Sequence, residues 1–512
     1  MPPETAAPTS VDDRVEPYAW RMLAVLMVVY VLNFVDRQLL TILAPDLKRD
    51  LGIGDAEFGF LYGTAFGVFY ALFGIPLGKL ADRWSRVKLL TLGLSLWSAM
   101  TALSGLSRNF AQIAATRVGV GIGEASAAPC AYSLIADYFP PQRRATALGI
   151  YSAGLYVGAG ISMFLGSTIA TAWNEAFVPG TRPLGLAGWQ AAFLAVGIPG
   201  LILAFVVSRL REPLRGRFDG GVVAAVAAGG PSPFRQFLID VGEMLPPFTL
   251  LSAARRGPRA LAGNLAMAAA FALAMAGLVR WLGDPVQWIA VGVGLYAALS
   301  WMTALASRDP VAFADLLKSR AFAFVTLGYA LVSFVGYAST AFTPLYAIEA
   351  LGADPRNAGF IIGGMGAVGG SFGVIAGGIV ADRQSRRHGQ AGRVGVILGS
   401  TVLSMASHAV IFSTGSLDVF YAAVLPGWIF TAATLGGAAG LIVNIVRPDL
   451  RGTATAVFLL GTNMIGLALG PYTAGKLSEG LGSLGLGMLS LLAVVPAIVV
   501  LLVLAMRELK KS

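Results

Sequence analysis

The feature that most constrains this chain is a succession of apolar runs, each long enough to cross a bilayer. A membrane-spanning helix needs about 20 mostly apolar residues. Such runs fall at residues 20–44, 57–80, 88–107, 110–136, 143–172 and 188–208. A basic connector over 209–260 follows, then two further runs at 261–280 and 287–306. Six more lie at 320–348, 357–381, 393–414, 417–446, 452–475 and 483–506. The pattern is six, two, six. It predicts an all-α membrane protein with about 14 transmembrane helices. Only 12% of the 512 residues are charged and 56% are hydrophobic, which excludes a soluble enzyme and a disordered chain. One cysteine excludes a disulfide scaffold.

The net charge of +10 resolves into orientation. With the N-terminus placed in the cytoplasm, 28 of the 37 Lys and Arg fall on the cytoplasmic side, seven fall outside, and two lie within spans. That asymmetry is the positive-inside pattern, so both termini are expected to be cytoplasmic. The resulting segments are a cytoplasmic tail at 1–19, a six-helix bundle at 20–208 and the basic connector at 209–260. An extra hairpin at 261–306, a second bundle at 320–506 and a cytoplasmic tail at 507–512 complete the chain. Residues 1–17 are polar, with four acids and four prolines, and no cleavable leader is expected there. The connector mixes Arg, Pro and Gly. It reads as short amphipathic helices with a basic face on anionic headgroups.

The two bundles repeat one another. Gly78-Lys79-Leu80-Ala81-Asp82-Arg83-Trp84-Ser85-Arg86 recurs as Gly378-Ile379-Val380-Ala381-Asp382-Arg383-Gln384-Ser385-Arg386. Pro141-Gln142-Arg143-Arg144-Ala145-Thr146-Ala147 is answered by Pro448-Asp449-Leu450-Arg451-Gly452-Thr453-Ala454. Both pairs sit in equivalent loops on the basic side. Two parallel halves imply an axis normal to the membrane and a site at their interface.

Ionisable residues deep in a span are costly and mark function by default. The first half holds four: Asp36 and Arg37 in span 1, Arg117 and Glu124 in span 4. Arg117 and Glu124 are seven residues apart and share a helix face. Asp36 and Arg117 lie at similar depth, which allows them to meet across the interface. Fully ionised, the four cancel; protonating one carboxylate frees an arginine for an anionic headgroup. The alternative is a pair of structural ion pairs. His408, Asn444 and Asn463 are weaker polar positions, better suited to interhelical hydrogen bonds. Glu349 reads as solvated at a helix end. Tyr329, Phe334, Tyr337, Phe342 and Tyr346 make span 7 aromatic, which suits acyl chains or lipid-facing packing alike. The glycines at 154, 158, 160, 363, 364, 366, 369 and 370 allow close helix approach. No nucleotide-binding loop, metal cluster or hydrolase motif is present, so an ATP-driven pump, a metal site and an enzyme are all disfavoured.

The Gly-x-Leu-Ala-Asp-Arg-x-x-Arg loop from Gly78 to Arg86 resembles the signature loop of the major facilitator superfamily, with Ser85 where glycine is usual. The resemblance implies the major facilitator fold, two pseudo-symmetric six-helix bundles, here with the extra hairpin between them. It also implies a latch from Gly78, Asp82, Arg83, Arg86, Asp382 and Arg383, with Asp82 facing the N-terminus of the second half's fifth helix. Asn33-x-x-Asp36-Arg37 and Gly121-x-Gly123-Glu124-Ala125-Ser126 resemble the spinster branch, whose members carry sphingolipids and lysophospholipids. The hairpin resembles an insertion of bacterial spinster-like members. By that resemblance Asp36 and Glu124 are proton-coupling carboxylates, and Arg37 and Arg117 their partners and headgroup ligands. Asn33, Tyr62, Ser126, Tyr337, Phe342 and Asn463 are candidate cavity-lining residues.

The expected activity is proton-coupled transport of an amphiphilic lipid by alternating access. The expected setting is a bacterial inner membrane and a monomeric transport unit. No cofactor beyond the proton and no nucleic-acid partner are expected. A proton-driven multidrug or metabolite antiporter of the same fold, and a non-transporting receptor or scaffold, remain as alternatives.

Overall fold

A computed structural model of the chain describes residues 15–178, 180–218, 232–308, 319–446 and 451–511. Among the described residues, helix is the only regular secondary structure. Fourteen helices among the described residues are long and apolar enough to cross a membrane. In the first half they are α1 (Pro17–Ile42), α2 (Asp55–Arg83), α3 (Arg86–Ser104), α4 (Phe110–Tyr138), α5 (Pro141–Ala176) and α6 (Gly188–Ser208). Two short helices follow, α7 (Pro233–Gly242) and α8 (Phe248–Arg256). The extra pair is α9 (Pro258–Leu282) and α10 (Pro285–Arg308). The second half comprises α11 (Arg320–Ala350), α12 (Pro355–His388), α13 (Gln390–Ser413), α14 (Leu417–Asn444), α15 (Ala454–Leu481) and α16 (Leu484–Leu509). The repeat residues Pro448–Leu450 and the N-terminal tail to Arg14 lie outside the described residues, as do 219–231 and 309–318.

Local chemistry sets the ends. Ser85 accepts a hydrogen bond from the Lys88 N–H and starts α3; Asn109 does the same for α4 through Gln112. Prolines stand in the first turn of α5, α9 and α12, where a missing N–H costs nothing.

The halves press together on the face opposite the Arg-rich loops, at two seams. Along the first, α5 crosses α12 through glycine. A Cβ added to Gly160 would lie 2.6 Å from the Gly363 carbonyl oxygen, so neither position accepts a side chain without separation of the helices. Along the second, α2 crosses α15, and a Cβ on Gly59 would lie 2.3 Å from the Pro471 carbonyl oxygen. The Ala56 N–H donates to Glu479 Oε1 at 2.9 Å, and Ser478 Oγ donates to Asp55 Oδ2 at 2.7 Å. Lys48 pairs with Asp55 at 2.6 Å and with Glu349 at 3.2 Å. Burial disfavours the Lys48 charge, but the two carboxylates outweigh it and raise the ammonium above its ordinary value. Glu349 is therefore an inter-half ion-pair partner as well as a solvated end. On the basic side α5 and α12 diverge. Gly149 of α5 and Gly378 of α12 face open space.

At the second seam both helices carry a π-helical turn, Phe60–Thr64 in α2 and Thr462–Leu467 in α15. Such turns recur at functional sites. The hairpin docks here too. Thr64 Oγ1 lies 2.7 Å from Gln287 Oε1 and 2.6 Å from the Ala468 carbonyl oxygen. Asp284, in the hairpin's turn, pairs with Lys476 at 2.6 Å and accepts from the Tyr472 hydroxyl at 2.8 Å. α10 thus lies along the α2–α15 seam, whereas the apolar window of α9 buries none of its residues and faces the lipid.

Candidate functional site

The site forms where α1, α2, α4 and α5 of the first half face α11, α14 and α15 of the second. A cavity of about 170 Å³ there is lined by Arg37, Gln38, Tyr62, Phe66 and Arg117 on one side. Tyr156 and Ala159 of α5 contribute to the same wall. Tyr337, Thr340, Trp428 and Leu467 form the opposite wall.

The four intramembrane charges gather at this cavity, but they pair differently from the sequence expectation. Arg37 Nε donates to Glu124 Oε2 at 2.6 Å, and the Glu124 side chain is fully buried. The Arg37 guanidinium is also stacked among three rings. It lies 5.1 Å from the Phe34 ring centre and 4.5 Å from those of both Phe66 and Tyr70. Asp36 and Arg117, which their depths allow to meet, are both buried yet form no hydrogen bond with each other. Both Asp36 carboxylate oxygens lack a hydrogen-bond partner, as do Arg117 Nε and Nη1 and Glu124 Oε1. Arg37 has taken Glu124 because consecutive helical residues point about 100° apart, which leaves Asp36 facing α3. There Thr101 is a polar neighbour, and Trp97 Nε1 and Ser98 Oγ are unpartnered too. One pair is therefore formed through Glu124 Oε2, and the other carboxylate and guanidinium stay unpaired in a buried setting, where unpaired polar groups are expensive.

Of the other candidates, Tyr62 and Tyr337 line the cavity, and Asn33 sits beside Glu124. Ser126, Phe342 and Asn463 do not line it. Ser126 Oγ bonds back to the Gly123 carbonyl at 2.8 Å and fills the contact with Gly93 of α3. Phe342 packs edge-on against Phe58 at 5.5 Å, sealing the opposite face. Asn463 lies buried within the π turn of α15. In α11 only Tyr337 and Thr340 reach the cavity; Tyr329 packs on Phe458, and Tyr346 on Phe412. His408, 3.4 Å from Ser404, lines a void of about 20 Å³ in the second half, which shares Thr340 and Trp428 with the cavity. Asn444 donates to the Gly440 carbonyl within its own helix at 2.6 Å. The sequence reading missed Phe34, Gln38, Phe66, Tyr156 and Trp428. Helical spacing identifies two of these, because Phe34, three residues before Arg37, shares its face on α1, and Phe66, four residues after Tyr62, shares its face on α2.

The two copies of the repeated loop differ. In the first, Arg86 is fully buried and donates to Asp137 and, at 2.7 Å, to Glu212 of the connector. Glu212 also accepts from the Val87 N–H at 2.9 Å and Ser85 Oγ at 2.8 Å. Partial burial works against its charge, but these donors hold its carboxyl below the ordinary glutamate value. Arg215 reaches the Ala81 carbonyl at 2.7 Å. The loop is thus clamped by the start of the connector. Asp82 is exposed, and the charges around it are Arg215, Arg83 and Arg86. These belong to the first half and its connector; Pro448–Leu450, which lead into the second half's fifth helix that the latch expectation places opposite Asp82, lie outside the described residues. In the second copy, exposed Asp382 pairs with Arg393 of α13 at 2.6 Å, and Arg383 is exposed. Lys88 is exposed as well.

Comparison with known proteins agrees with this architecture. The family model of the Major Facilitator Superfamily matches residues 26–471. An MFS-type efflux pump of Mycolicibacterium smegmatis is 27% identical over 499 residues, covering 96% of this chain and 93% of that protein. Protein spinster homolog 1 of Xenopus laevis is 25% identical over 89% of this chain and 72% of its own length. Among solved structures, a bacterial homolog of the human lysosomal transporter Spinster matches with a TM-score of 0.71. That structure, inward-facing and unoccupied, is 25% identical and covers 97% of this chain and 98% of its own.

Proposed function

The chain belongs to the major facilitator superfamily as a spinster-like, multi-pass membrane transporter, and from that premise we propose that it carries an amphiphilic lipid by proton-coupled alternating access. The observation that carries this reading is the asymmetry of the cavity. Arg37 and Arg117 offer guanidinium groups on one wall, and Tyr337, Trp428 and Leu467 offer an apolar surface on the other. An anionic or zwitterionic head with an acyl chain complements both.

The same charges supply the coupling. Arg37 is held by Glu124, so a proton on Glu124 weakens that hold and releases a guanidinium suited to a phosphate or carboxylate. Asp36 is a buried carboxylate without a donor, and taking up a proton removes the cost of its charge. The Arg-rich loops mark the cytoplasmic side by the positive-inside pattern. With the halves closed on the opposite face, the cavity belongs to the cytoplasm-facing state. The transport unit is one chain in a bacterial inner membrane.

The test is uptake of a labelled lysophospholipid by proteoliposomes under an imposed pH gradient. The expected result is gradient-stimulated uptake, displaced by unlabelled lysolipid and untouched by an amphipathic cation such as tetraphenylphosphonium. Displacement by the cation, with no response to lysolipid, overturns the lipid reading in favour of a multidrug antiporter.

A further inference from the structure

The transport cavity leaves another basic, partly apolar cavity unexplained. It lies on the Arg-rich face, beneath the extra hairpin, among α7, α8 and the end of α10. Its volume is about 560 Å³, within the range of small-molecule sites. Arg235 of α7, Arg255 and Arg256 of α8, and Ser307 of α10 line it, with Glu243 as the acidic member. Arg256 Nη1 lies 3.5 Å from Ser307 Oγ, at the outer limit of a hydrogen bond. Asp240, on the same helix as Arg235, is occupied by Lys79 of α2 at 3.1 Å. Three guanidinium groups thus converge against one lining carboxylate.

The apolar side of this site is equally distinctive. Leu238, Phe248 and Leu251 line the cavity and are 54%, 54% and 59% exposed, and Phe234 beside them is 63% exposed. Aromatic and aliphatic groups of that size are unfavourable in water. They are well placed at the interface of a bilayer, next to basic residues on the same short helices. The depth agrees. α9 begins at Pro258, two residues beyond Arg256, and α10 ends at Arg308, one residue beyond Ser307. The cavity therefore sits where the hairpin leaves the membrane, at headgroup level.

We propose that the Arg235–Arg255–Arg256 cavity is a binding site for an anionic phospholipid. Its phosphate is held by the guanidinium groups, and its chains lie along Leu238, Phe248 and Leu251. Forked guanidinium donors match phosphate oxygens, and basic pockets at the cytoplasmic ends of spanning helices select such headgroups. The occupant is a structural or regulatory lipid distinct from the transported one. The site rests on the membrane-spanning reading of α9 and α10, not on the identity of the substrate.

The experiment places the full-length protein in nanodiscs of phosphatidylcholine with or without phosphatidylglycerol, followed by detergent extraction and native mass spectrometry. Wild type is expected to retain phosphatidylglycerol over phosphatidylcholine. The Arg235→Gln/Arg255→Gln/Arg256→Gln variant is expected to lose that preference by about a hundredfold, at several-fold per arginine. The matching three-lysine variant should keep part of it, which separates charge from misfolding. Arg108→Gln, on the opposite face, should leave it unchanged. Equal retention by wild type and the three-glutamine variant overturns the proposal. So does stabilisation against heat by inorganic phosphate alone that matches the lipid, since that assigns the site to a free anion.

Discussion

The two walls of the cavity come from halves built on one repeated plan, yet they carry different chemistry. The first half contributes a buried Arg37–Glu124 pair and the separated Asp36 and Arg117. The second contributes Tyr337, Thr340, Trp428 and Leu467. The repeated loops diverge in the same sense, with Arg86 buried and clamped in the first half and Asp382 exposed in the second. The difference teaches that one duplicated scaffold can carry its buried charge in a single half, which is where the proposed coupling lies. A half that keeps its charges buried bears the cost of their desolvation. The other half is left free to shape an apolar surface.

The largest effect expected from breaking this comparison follows removal of one member of the buried pair. Glu124→Gln leaves Arg37 uncompensated and is expected to destabilise the protein by about 3–5 kcal/mol and to abolish transport. The double variant Arg37→Gln/Glu124→Gln should recover much of the stability and none of the transport. Thermal unfolding of the purified protein and uptake assays read the two quantities separately. Additive losses in the double variant would mean the pair is not coupled.

A smaller effect is expected on the apolar wall. Trp428→Ala should raise KM for the lipid about tenfold, as loss of a large apolar contact does, while leaving the pH profile of transport unchanged. A displaced pH profile in Trp428→Ala would break the division between the walls.

Much of the fold was legible because the bilayer imposes a length on every span. The expected spans 188–208 and 110–136 correspond to α6 at Gly188–Ser208 and α4 at Phe110–Tyr138. The main departures are helices that outrun the hydrocarbon, as α12 does in continuing to His388 through the polar repeat. Hydropathy ends a span where charge begins, but a helix ends only where its hydrogen bonds do. At the site, the four charges were legible as costly groups. Their pairing was not, because depth along a helix is readable and rotation about it is set by packing. Arg37 turns toward Glu124 and the rings of Phe66 and Tyr70, which belong to another helix. Ser126 and Phe342 were drawn into helix packing for the same reason: small and aromatic groups serve an inter-helix contact as readily as a cavity. Trp428 carries no mark in its own segment that separates a cavity-facing tryptophan from a lipid-facing one.

The central claim, that the first half alone couples the proton, is tested most directly with Asp36→Asn in proteoliposomes. Lipid counterflow, which needs no proton gradient, is measured beside accumulation driven by an imposed pH gradient. The account predicts that counterflow persists in the variant while gradient-driven accumulation is lost. Accumulation at the wild-type level in Asp36→Asn would contradict it.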